Sequence, residues 1–317
     1  MPTYRANGKL LLTGEYLVIH GALALALPTR LGQTLEVESS EDAGLHWSGL
    51  DDQGESWLEV QFDTSLNPTL KPREISEGGE EAAERLSQLL RLAQQSNPEF
   101  LKSDFALRAT TRLEFPRDWG LGSSSTLVHL ISQWAEVDPY PLQEEVFGGS
   151  GYDIACAGAE GPILYKRVKQ GDSISPVSRP APFNPSFSDK LFFVHLGAKQ
   201  NSRVAIASFE DRMKEMGGRP EAWLNTLVHQ TIAIQNAATA HDFGSLLTKH
   251  EEVIGAVIGQ TPVRLARFPE FKGAVKSLGA WGGDFVLAVS EEGEDYVRDF
   301  FSGHGLSTFV PWSEMIL

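Results

Sequence analysis

The chain has 317 residues, of which 41% are hydrophobic and 22% are charged, as in an ordinary soluble globular protein with room for two domains. Its formal net charge of −15 argues against nucleic acid and against an anionic membrane surface as partners. The one cysteine, Cys156, excludes an intrachain disulfide. Because the sequence shows no signal-peptide core and no apolar run of membrane-spanning length, we expect a cytoplasmic protein.

Apolar periodicity predicts the secondary structure in chain order. Strands, with intervening turns in the first range, are predicted at residues 9–38, 57–62, 105–115, 191–196, 285–289 and 306–310. Helices are predicted at residues 79–95, 127–134, 203–216, 221–240, 242–259 and 295–301. The polar segment 39–56 reads as an exposed hairpin end or loop, and residues 175–186, which contain four prolines, read as a connector. A strand-rich first part followed by helices and strands favours the α+β class.

The most informative segment is residues 116–126, the glycine loop, which reads Pro-Arg-Asp-Trp-Gly-Leu-Gly-Ser-Ser-Ser-Thr. It joins a predicted strand to a predicted helix. Its glycines let the backbone turn sharply and approach a ligand closely. The first N–H groups of the helix point towards whatever lies there, and the hydroxyl groups can cap the helix, bind phosphate or hold a metal. The pattern predicts an anion site, with an ordinary capped helix after a turn as the simpler alternative.

The glycine loop resembles the phosphate-binding loop of the GHMP kinase superfamily, which includes galactokinase and the homoserine, mevalonate and phosphomevalonate kinases. It is not a Walker loop, because no Gly-Lys-Ser/Thr follows, and it is not a dinucleotide fingerprint. The resemblance implies that the nucleotide is bound by Asp118, Trp119, Gly120, Leu121, Gly122, Ser123, Ser124, Ser125 and Thr126.

Residues 7–21, Asn-Gly-Lys-Leu-Leu-Leu-Thr-Gly-Glu-Tyr-Leu-Val-Ile-His-Gly, are similar to the first motif of the superfamily, although Asn7 stands where proline is usual. By itself, Lys9 reads as an exposed lysine at a strand start. The resemblance places it in the site, where its ammonium polarises the acceptor hydroxyl or the transferring phosphoryl group. It also implies that Glu15 and His20 lie near the acceptor, with a structural role for His20 as an equal alternative.

Residues 148–158, Gly-Gly-Ser-Gly-Tyr-Asp-Ile-Ala-Cys-Ala-Gly, are similar to the catalytic-aspartate segment of mevalonate and phosphomevalonate kinases. In that family the carboxylate faces the acceptor hydroxyl and the lysine of the first motif. The resemblance therefore makes Asp153 a catalytic residue that acts as a base or orients the hydroxyl. The alternative is an aspartate that forms the turn by bonding to its own backbone.

The resemblance also implies a bound Mg²⁺ that shields the triphosphate. In the mevalonate-kinase-like branch a loop serine and an upstream acid hold this ion. Ser124, or else Ser123, is the serine candidate. Glu145, or else Glu144, is the acid candidate, although both are nearer in sequence to the catalytic aspartate than the family spacing. A solvated helix face is the alternative for these two glutamates.

Residues 276–288 resemble the third motif of the superfamily, whose glycines line the site beside the phosphate loop. The corresponding glycines here are Gly282 and Gly283. Trp281 replaces a usual glycine and Asp284 replaces an uncharged residue, so both add bulk or charge near anionic phosphates. For Trp281 the alternative is a tryptophan packed on a turn.

A weaker similarity covers residues 199–204, which follow a predicted strand and open a predicted helix. It implies that Ser202 and Arg203 bind the carboxylate or phosphate of the acceptor. They would supply local positive charge in an acidic protein. A helix-capping serine beside a solvated arginine is an equal alternative.

The motifs occur in the order of the superfamily. The resemblance implies an N-terminal domain (residues 1–172) like ribosomal protein S5 domain 2 and a ferredoxin-like C-terminal domain (residues 173–317). It implies a kinase that uses ATP and Mg²⁺ to phosphorylate a small anionic molecule, with mevalonate or phosphomevalonate as the leading acceptor. A sugar or sugar-phosphate kinase, diphosphomevalonate decarboxylase and a non-catalytic nucleotide-binding regulator are alternatives. The adenine pocket and the oligomeric state, with a homodimer as one option, are left open.

Overall fold

The computed structural model describes residues 2–69, 79–102, 104–170, 173–197, 202–215, 217, 221–279, 281 and 284–317. Their strands are β1 (Thr3–Leu11), β2 (Ala24–Ser39), β3 (Gly44–Leu50), β4 (Ser56–Phe62), β5 (Pro68–Thr69), β6 (Ala106–Leu113), β7 (Ile163–Gln170), β8 (Ser173–Pro180), β9 (Leu191–His195), β10 (Ala274–Ser277), β11 (Phe285–Val289) and β12 (Phe309–Pro311). Their helices are α1 (Gly79–Ser96), α2 (Ser123–Ala135), α3 (Pro139–Val146), α4 (Tyr152–Ala157), α5 (Ser202–Glu215), α6 (Glu221–Gln235), α7 (Ala240–Ile258), α8 (Val263–Arg267), α9 (Glu294–Gly303) and α10 (Trp312–Met315). The predicted α+β class is confirmed.

The first compact unit comprises Met1–Gly8, Leu31–Arg117 and Leu121–Gly158. Its strands pair in the order β5-β4-β3-β6-β2, with β3 parallel to β6 and the other pairs antiparallel. Every second residue of β4 is buried, as alternation predicts. Helix α1 buries one apolar face against β4 and packs against α2 and α3. The resulting core includes Trp47, Phe62, Leu86, Leu90 and Ile131.

The second compact unit comprises Lys9–Arg30, Asp118–Gly120 and Ala159–Leu317. Its four-stranded antiparallel sheet has the order β10-β11-β9-β12. In addition, the start of β2 pairs with β7, and β7 pairs with β8. Helix α7 packs against β10 and helix α9 against β9. One core contains Phe192, Phe271 and Phe301, and a second contains Tyr16, Phe209, Leu227 and Trp281.

The loop alternative for residues 39–56 is wrong, because β3 lies within this segment, whereas the turn between the antiparallel strands β3 and β4 agrees with a hairpin end. In β3 the buried Leu45 and Trp47 alternate with polar residues over a length too short to stand out between acidic flanks. Pairing with β4 on one side and with β6 on the other makes the segment a strand. One of these partners, β6, is distant in sequence, and a local pattern does not show such a pairing.

The connector predicted at residues 175–186 is wrong in its first part, because β8 pairs with β7 along its length. Strand β8 is the last in the order of described strands in its sheet. Proline has no backbone N–H, but an outer strand has one side that needs no donor, so Pro176 and Pro180 are accommodated there.

The two compact units are interleaved along the chain, since the segment Lys9–Arg30 groups with the C-terminal residues. The predicted boundary between an N-terminal and a C-terminal domain, at residues 172 and 173, stays a prediction. Across the described ranges, every helix falls short of the length and apolar character needed to cross a bilayer.

Candidate active site

The glycine loop ends at the start of α2, and two of its glycines adopt left-handed backbone angles. Gly120 has φ +68° and Gly122 has φ +92°, a region in which other residues are strained. Gly122 is the N-cap of α2 and has no side chain to cover the first turn. The N–H groups at the start of α2 thus have no side-chain cap, which is compatible with the anion site that the sequence predicts, and that site stays a prediction.

The hydroxyl groups of the loop fall into two classes. Ser125 and Thr126 are buried, and they donate hydrogen bonds to the Gly122 carbonyl at 2.8 Å and to Gln33 Oε1 at 2.6 Å. Their side chains hold the loop in shape, and their predicted contact with nucleotide stays a prediction. Ser123 is partly exposed and Ser124 is exposed. Ser124 is therefore the hydroxyl best placed to meet a ligand.

Lys9 lies on β1, and its ammonium is at the glycine loop. The Nζ atom donates a hydrogen bond to the Gly120 carbonyl oxygen at 2.8 Å. On another side, the carboxylate of Asp284 lies so close to Gly120 that a Cβ atom added there would collide with it. The first motif thus places a cation, and the unusual residue of the third motif an anion, against the same glycine.

Trp119 and Asp118 are held by the strands of the second unit. The Trp119 ring meets the edge of Phe285 with ring centroids 5.2 Å apart. The Asp118 side chain is exposed, while its carbonyl oxygen lies 3.3 Å from Nε2 of His195. Sequence reasoning missed His195, although a polar residue that closes the apolar strand β9 was a visible signal.

Asp153 lies in the first turn of α4, after Gly151, which has φ +84°. Its side chain is partly exposed, and Oδ1 accepts a hydrogen bond from the Ile154 N–H at 3.2 Å. Helix α4 packs against α2. Burial, together with Asp138 and Asp153, raises the pKa of Tyr140 to about 12. The Asp153 carboxylate, which is the predicted catalytic group, therefore lies near the neutral phenol of Tyr140 and remains partly accessible to solvent.

The candidate Mg²⁺ ligands are hard oxygen donors, which suit this ion. Ser124 is exposed at the start of α2, and Glu145 and Glu144 are exposed on α3. Among the residues that the structure describes, His, Cys, Asp and Glu side chains form no cluster of three that could hold a metal. Ser124 and one glutamate would be too few ligands for the ion, and the phosphate oxygens of the nucleotide would have to complete the site. The assignment to Ser124 and Glu145 stays a prediction.

Glu15 is only 1% exposed, and its carboxylate forms an ion pair with Lys276, which is fully buried. Burial raises the pKa of Glu15 to about 7, with Lys276 acting in the opposite direction. His250 Nε2 lies 3.8 Å from the other carboxylate oxygen and accepts a hydrogen bond from the Gly14 N–H at 3.1 Å. Glu15 thus has a buried structural partner, and its predicted contact with the acceptor stays a prediction.

The same buried network continues into β10. Lys276 also donates to the Ser277 carbonyl at 2.9 Å, and Glu251 accepts from the Ser277 N–H at 2.9 Å. Burial raises the pKa of Glu251, whereas burial and then Lys276 hold the pKa of His250 well below its usual value. These contacts fasten the turn of the first motif to the strand that begins the third motif. Sequence reasoning missed this role for His250, Glu251 and Lys276.

His20 lies at the end of the 3₁₀ turn Leu17–His20, where Nε2 is 2.9 Å from Glu210 Oε1. Its ring also meets the edge of Phe209. These contacts fit the structural alternative for His20. Trp281 is 6% exposed and packs with Tyr16 and Phe209, and its backbone N–H donates a hydrogen bond to the Tyr16 hydroxyl oxygen at 3.3 Å. It is thus a packed tryptophan on a turn.

The remaining predicted substrate ligands are only partly described. Ser202 and Arg203 begin helix α5, as expected for a segment that opens a helix, and their side chains lie outside the described part of the structure. Gly282 and Gly283 lie outside the described residues altogether. The roles of these four residues stay predictions.

The sequence matches no protein-family model, and no curated protein sequence at a significant level. Solved structures, in contrast, are similar over nearly the whole chain. Streptococcus pneumoniae phosphomevalonate kinase in complex with phosphomevalonate and AMPPNP is 16% identical with a TM-score of 0.70, covering 98% of this chain and 99% of that one. L. major mevalonate kinase in complex with R-mevalonate is 16% identical with a TM-score of 0.65, covering 96% and 91%. Lactococcus lactis galactokinase complexed with galactose is 13% identical with a TM-score of 0.68, covering 97% and 92%.

The chain has the GHMP kinase fold. The fold predicted from the resemblance is therefore confirmed. Within this fold the similarity does not separate acceptors, because the galactokinase and the two kinases of the mevalonate branch have comparable TM-scores. Because these structures are only 13% to 16% identical to this chain, they do not establish its activity, which depends on the residues of its own site.

Proposed function

We propose that the protein is an ATP- and Mg²⁺-dependent phosphotransferase that transfers the γ-phosphate to a small acceptor molecule. The observation that carries the proposal is the 2.8 Å hydrogen bond from Lys9 Nζ to the carbonyl of Gly120. It puts the lysine of the first motif at a glycine loop with two left-handed residues that opens onto a helix N-terminus. A cation bound to a glycine loop that runs directly into a helix is suited to a triphosphate.

Each proposed role follows from the local chemistry of one group. The N–H groups at the start of α2 and the exposed Ser124 hydroxyl bind phosphate oxygens. The Lys9 ammonium stabilises negative charge that develops on the transferring phosphoryl group. Asp153, which keeps access to solvent, accepts the proton of the acceptor hydroxyl or orients that hydroxyl. When bound through Ser124 and Glu145, Mg²⁺ supplies charge that shields the triphosphate.

The leading acceptor is mevalonate or phosphomevalonate. It is supported by the Gly-Tyr-Asp-Ile-Ala segment that contains Asp153, and by the similarity to structures of mevalonate and phosphomevalonate kinases. A sugar or sugar-phosphate kinase is the second candidate, favoured by the comparable similarity to a galactokinase. Diphosphomevalonate decarboxylase and a nucleotide-binding regulator are further alternatives. The regulator is opposed by Lys9, because a protein that only binds nucleotide needs no group to act on the acceptor.

The test is ADP release with Mg²⁺ and ATP against mevalonate, phosphomevalonate, diphosphomevalonate, homoserine, galactose and heptose phosphates. We expect acceptor-dependent ADP with mevalonate or phosphomevalonate, abolished by a chelator of divalent cations. ADP with a sugar alone would support the second candidate, and CO₂ release with diphosphomevalonate would identify the decarboxylase. ATP binding by calorimetry without turnover on any acceptor would favour the regulator.

An Asp153→Asn variant tests the catalytic carboxylate. Removing a positioned base should lower turnover roughly 10²- to 10⁴-fold, while ATP affinity stays within a few-fold of wild type. Asp299→Asn is the matched control, because Asp299 is an exposed residue of α9. If Asp153→Asn keeps near wild-type turnover, the assignment of this carboxylate is wrong.

A further inference from the structure

His195 is a buried polar side chain next to the start of the glycine loop. It ends β9 and is only 6% exposed. Its ring centroid lies 5.0 Å from that of Phe285, its partner across the β9–β11 ladder, and 6.2 Å from that of Trp119. Both ring nitrogens face main-chain atoms: Nδ1 faces the Gly197 N–H at 3.4 Å, and Nε2 faces the Asp118 carbonyl oxygen at 3.3 Å.

These two contacts define the tautomer of the ring. A backbone N–H can only donate, so Nδ1 of His195 must be the acceptor of the Gly197 contact. In the neutral ring the proton is then on Nε2. Nε2 therefore donates a hydrogen bond to the Asp118 carbonyl, which belongs to the glycine loop. The orientation of the ring is fixed on one side by β9 and its following turn, and on the other by the loop.

The glycine loop has a particular need for such contacts. Gly120 and Gly122 make its backbone flexible, and holding it in one shape costs conformational entropy. A phosphate site built from N–H groups works only when those groups are already in place. The His195 contact fixes the carbonyl of Asp118, and the Lys9 contact fixes the carbonyl two residues later, at Gly120.

We propose that His195 is a positioning residue of the kinase, which acts by donating its Nε2 proton to the Asp118 carbonyl and so holds the glycine loop in its nucleotide-binding shape. The proposal rests on the proposed function. Both ring nitrogens of His195 bind main-chain atoms, so we expect its effect to be on ATP affinity. The acceptor KM is unaffected.

Two variants of different length separate the hydrogen bond from simple packing. In His195→Gln the amide nitrogen occupies a position near that of Nε2, so the donor to Asp118 is kept. In His195→Asn the side chain reaches only as far as Nδ1, so the Asp118 carbonyl loses its donor. We expect His195→Asn to weaken ATP binding on the order of tenfold, as for the loss of one hydrogen bond to a buried group, and His195→Gln to stay within about threefold.

The measurements are calorimetric titration with Mg²⁺ and AMPPNP, the KM values for ATP and for the acceptor, and the melting temperature. His241→Asn is the matched control, since His241 is exposed at the start of α7. An independent readout is the ¹⁵N spectrum of the histidine side chains, in which the signal lost in His195→Gln should have the pattern of an Nε2-protonated ring.

The outcomes separate the two proposals. If wild type binds AMPPNP but His195→Asn binds it equally well, or if both variants lose affinity alike, the positioning role is overturned and the proposed function stands. An Nδ1-protonated ring for His195 likewise overturns the positioning role alone. If wild type fails to bind AMPPNP, the proposed function is overturned and the positioning role with it.

Discussion

Replacing Lys276 with methionine should destabilise the protein, because it leaves a buried carboxyl group without its cation. Lys276 is fully buried and Glu15 is 1% exposed, so solvent does not screen the pair. Methionine has a similar length and fills the space, so the change removes charge more than volume. Breaking a buried pair from one side costs about 3–5 kcal/mol, since the remaining charge stays desolvated.

The pKa of Glu15 sets the pH dependence of this loss. Burial already raises the pKa of Glu15 from 4.5 to about 7, even with Lys276 lowering it. That shift corresponds to about 3 kcal/mol between the two protonation states. Because the pKa is raised on folding, the contribution of this group to stability is complete below pH 4.5 and is lost as the pH rises through about 7. Without Lys276 the pKa of Glu15 is higher still, so the stability continues to fall at higher pH. The variant should therefore be destabilised more near pH 8 than near pH 6.

Calorimetric melting at these two pH values tests the reasoning. A loss of about 3–5 kcal/mol in a unit of this size should lower the melting temperature on the order of 10 °C near pH 8. Lys166→Met, at an exposed lysine of β7, should have little effect. Adding Glu15→Gln to Lys276→Met should restore most of the loss, because a neutral amide replaces the stranded charge. A decrease below about 2 °C near pH 8, or a double variant no better than the single one, would refute the buried pair.

Three further predictions follow from other contacts. Gly120→Ala should weaken ATP binding, because its Cβ must displace the Asp284 carboxylate from its place against the loop. Gly305→Ala, at a similar φ of +76° in open space, should leave binding intact, and equal effects in a titration would contradict this. His250→Gln should make the stability depend less on pH under acidic conditions. Because the pKa of His250 is depressed on folding, the neutral ring stabilises the protein above pH 6.5 and this stabilisation is lost as the pH falls. Melting temperatures between about pH 5 and 7 measure this dependence, and an unchanged dependence would contradict the prediction. Trp281→Gly should lower stability by about 3–5 kcal/mol through the cavity it leaves, while Trp281→Phe loses less, and a melting temperature equal to wild type for the glycine variant would exclude the packing role.

Sequence patterns identified the elements whose periodicity is complete within themselves. Helix α1 buries its apolar stripe at the predicted spacing, and β9 and β11 are continuous buried strands. Strand β3 was missed because one of its partners, β6, lies far away in the chain, and β8 was missed because its prolines are typical of a connector. For such short segments the neighbouring strand, and not the local composition, decides the structure.

In the candidate site, too, some features were predicted from the sequence and others were missed. The residue pattern predicted the glycine loop, and the resemblance to the superfamily placed Lys9 in the same site; the structure brings Lys9 to Gly120. The sequence did not predict the contacts of His250, Lys276 or His195. His250 stands among the charged residues of α7, whereas Lys276 and His195 are polar residues within or at the end of apolar strands. Their partners are also remote: the contact between Gly14 and His250 joins residues 236 positions apart. Local patterns therefore identified the loop but not the side chains that hold it and the first motif in place.

The prolines of β8 limit how this protein can associate. Pro176 and Pro180 are four residues apart, so their nitrogens point to the same side of the strand. An added strand on that side would find two donors missing, although the exposed Ile174 and Val177 would otherwise make this rim prone to association. The rim at β8 is thus protected against strand-by-strand growth into fibres. If the chain forms a homodimer, the option that the sequence leaves open, pairing through the proline side of β8 is disfavoured.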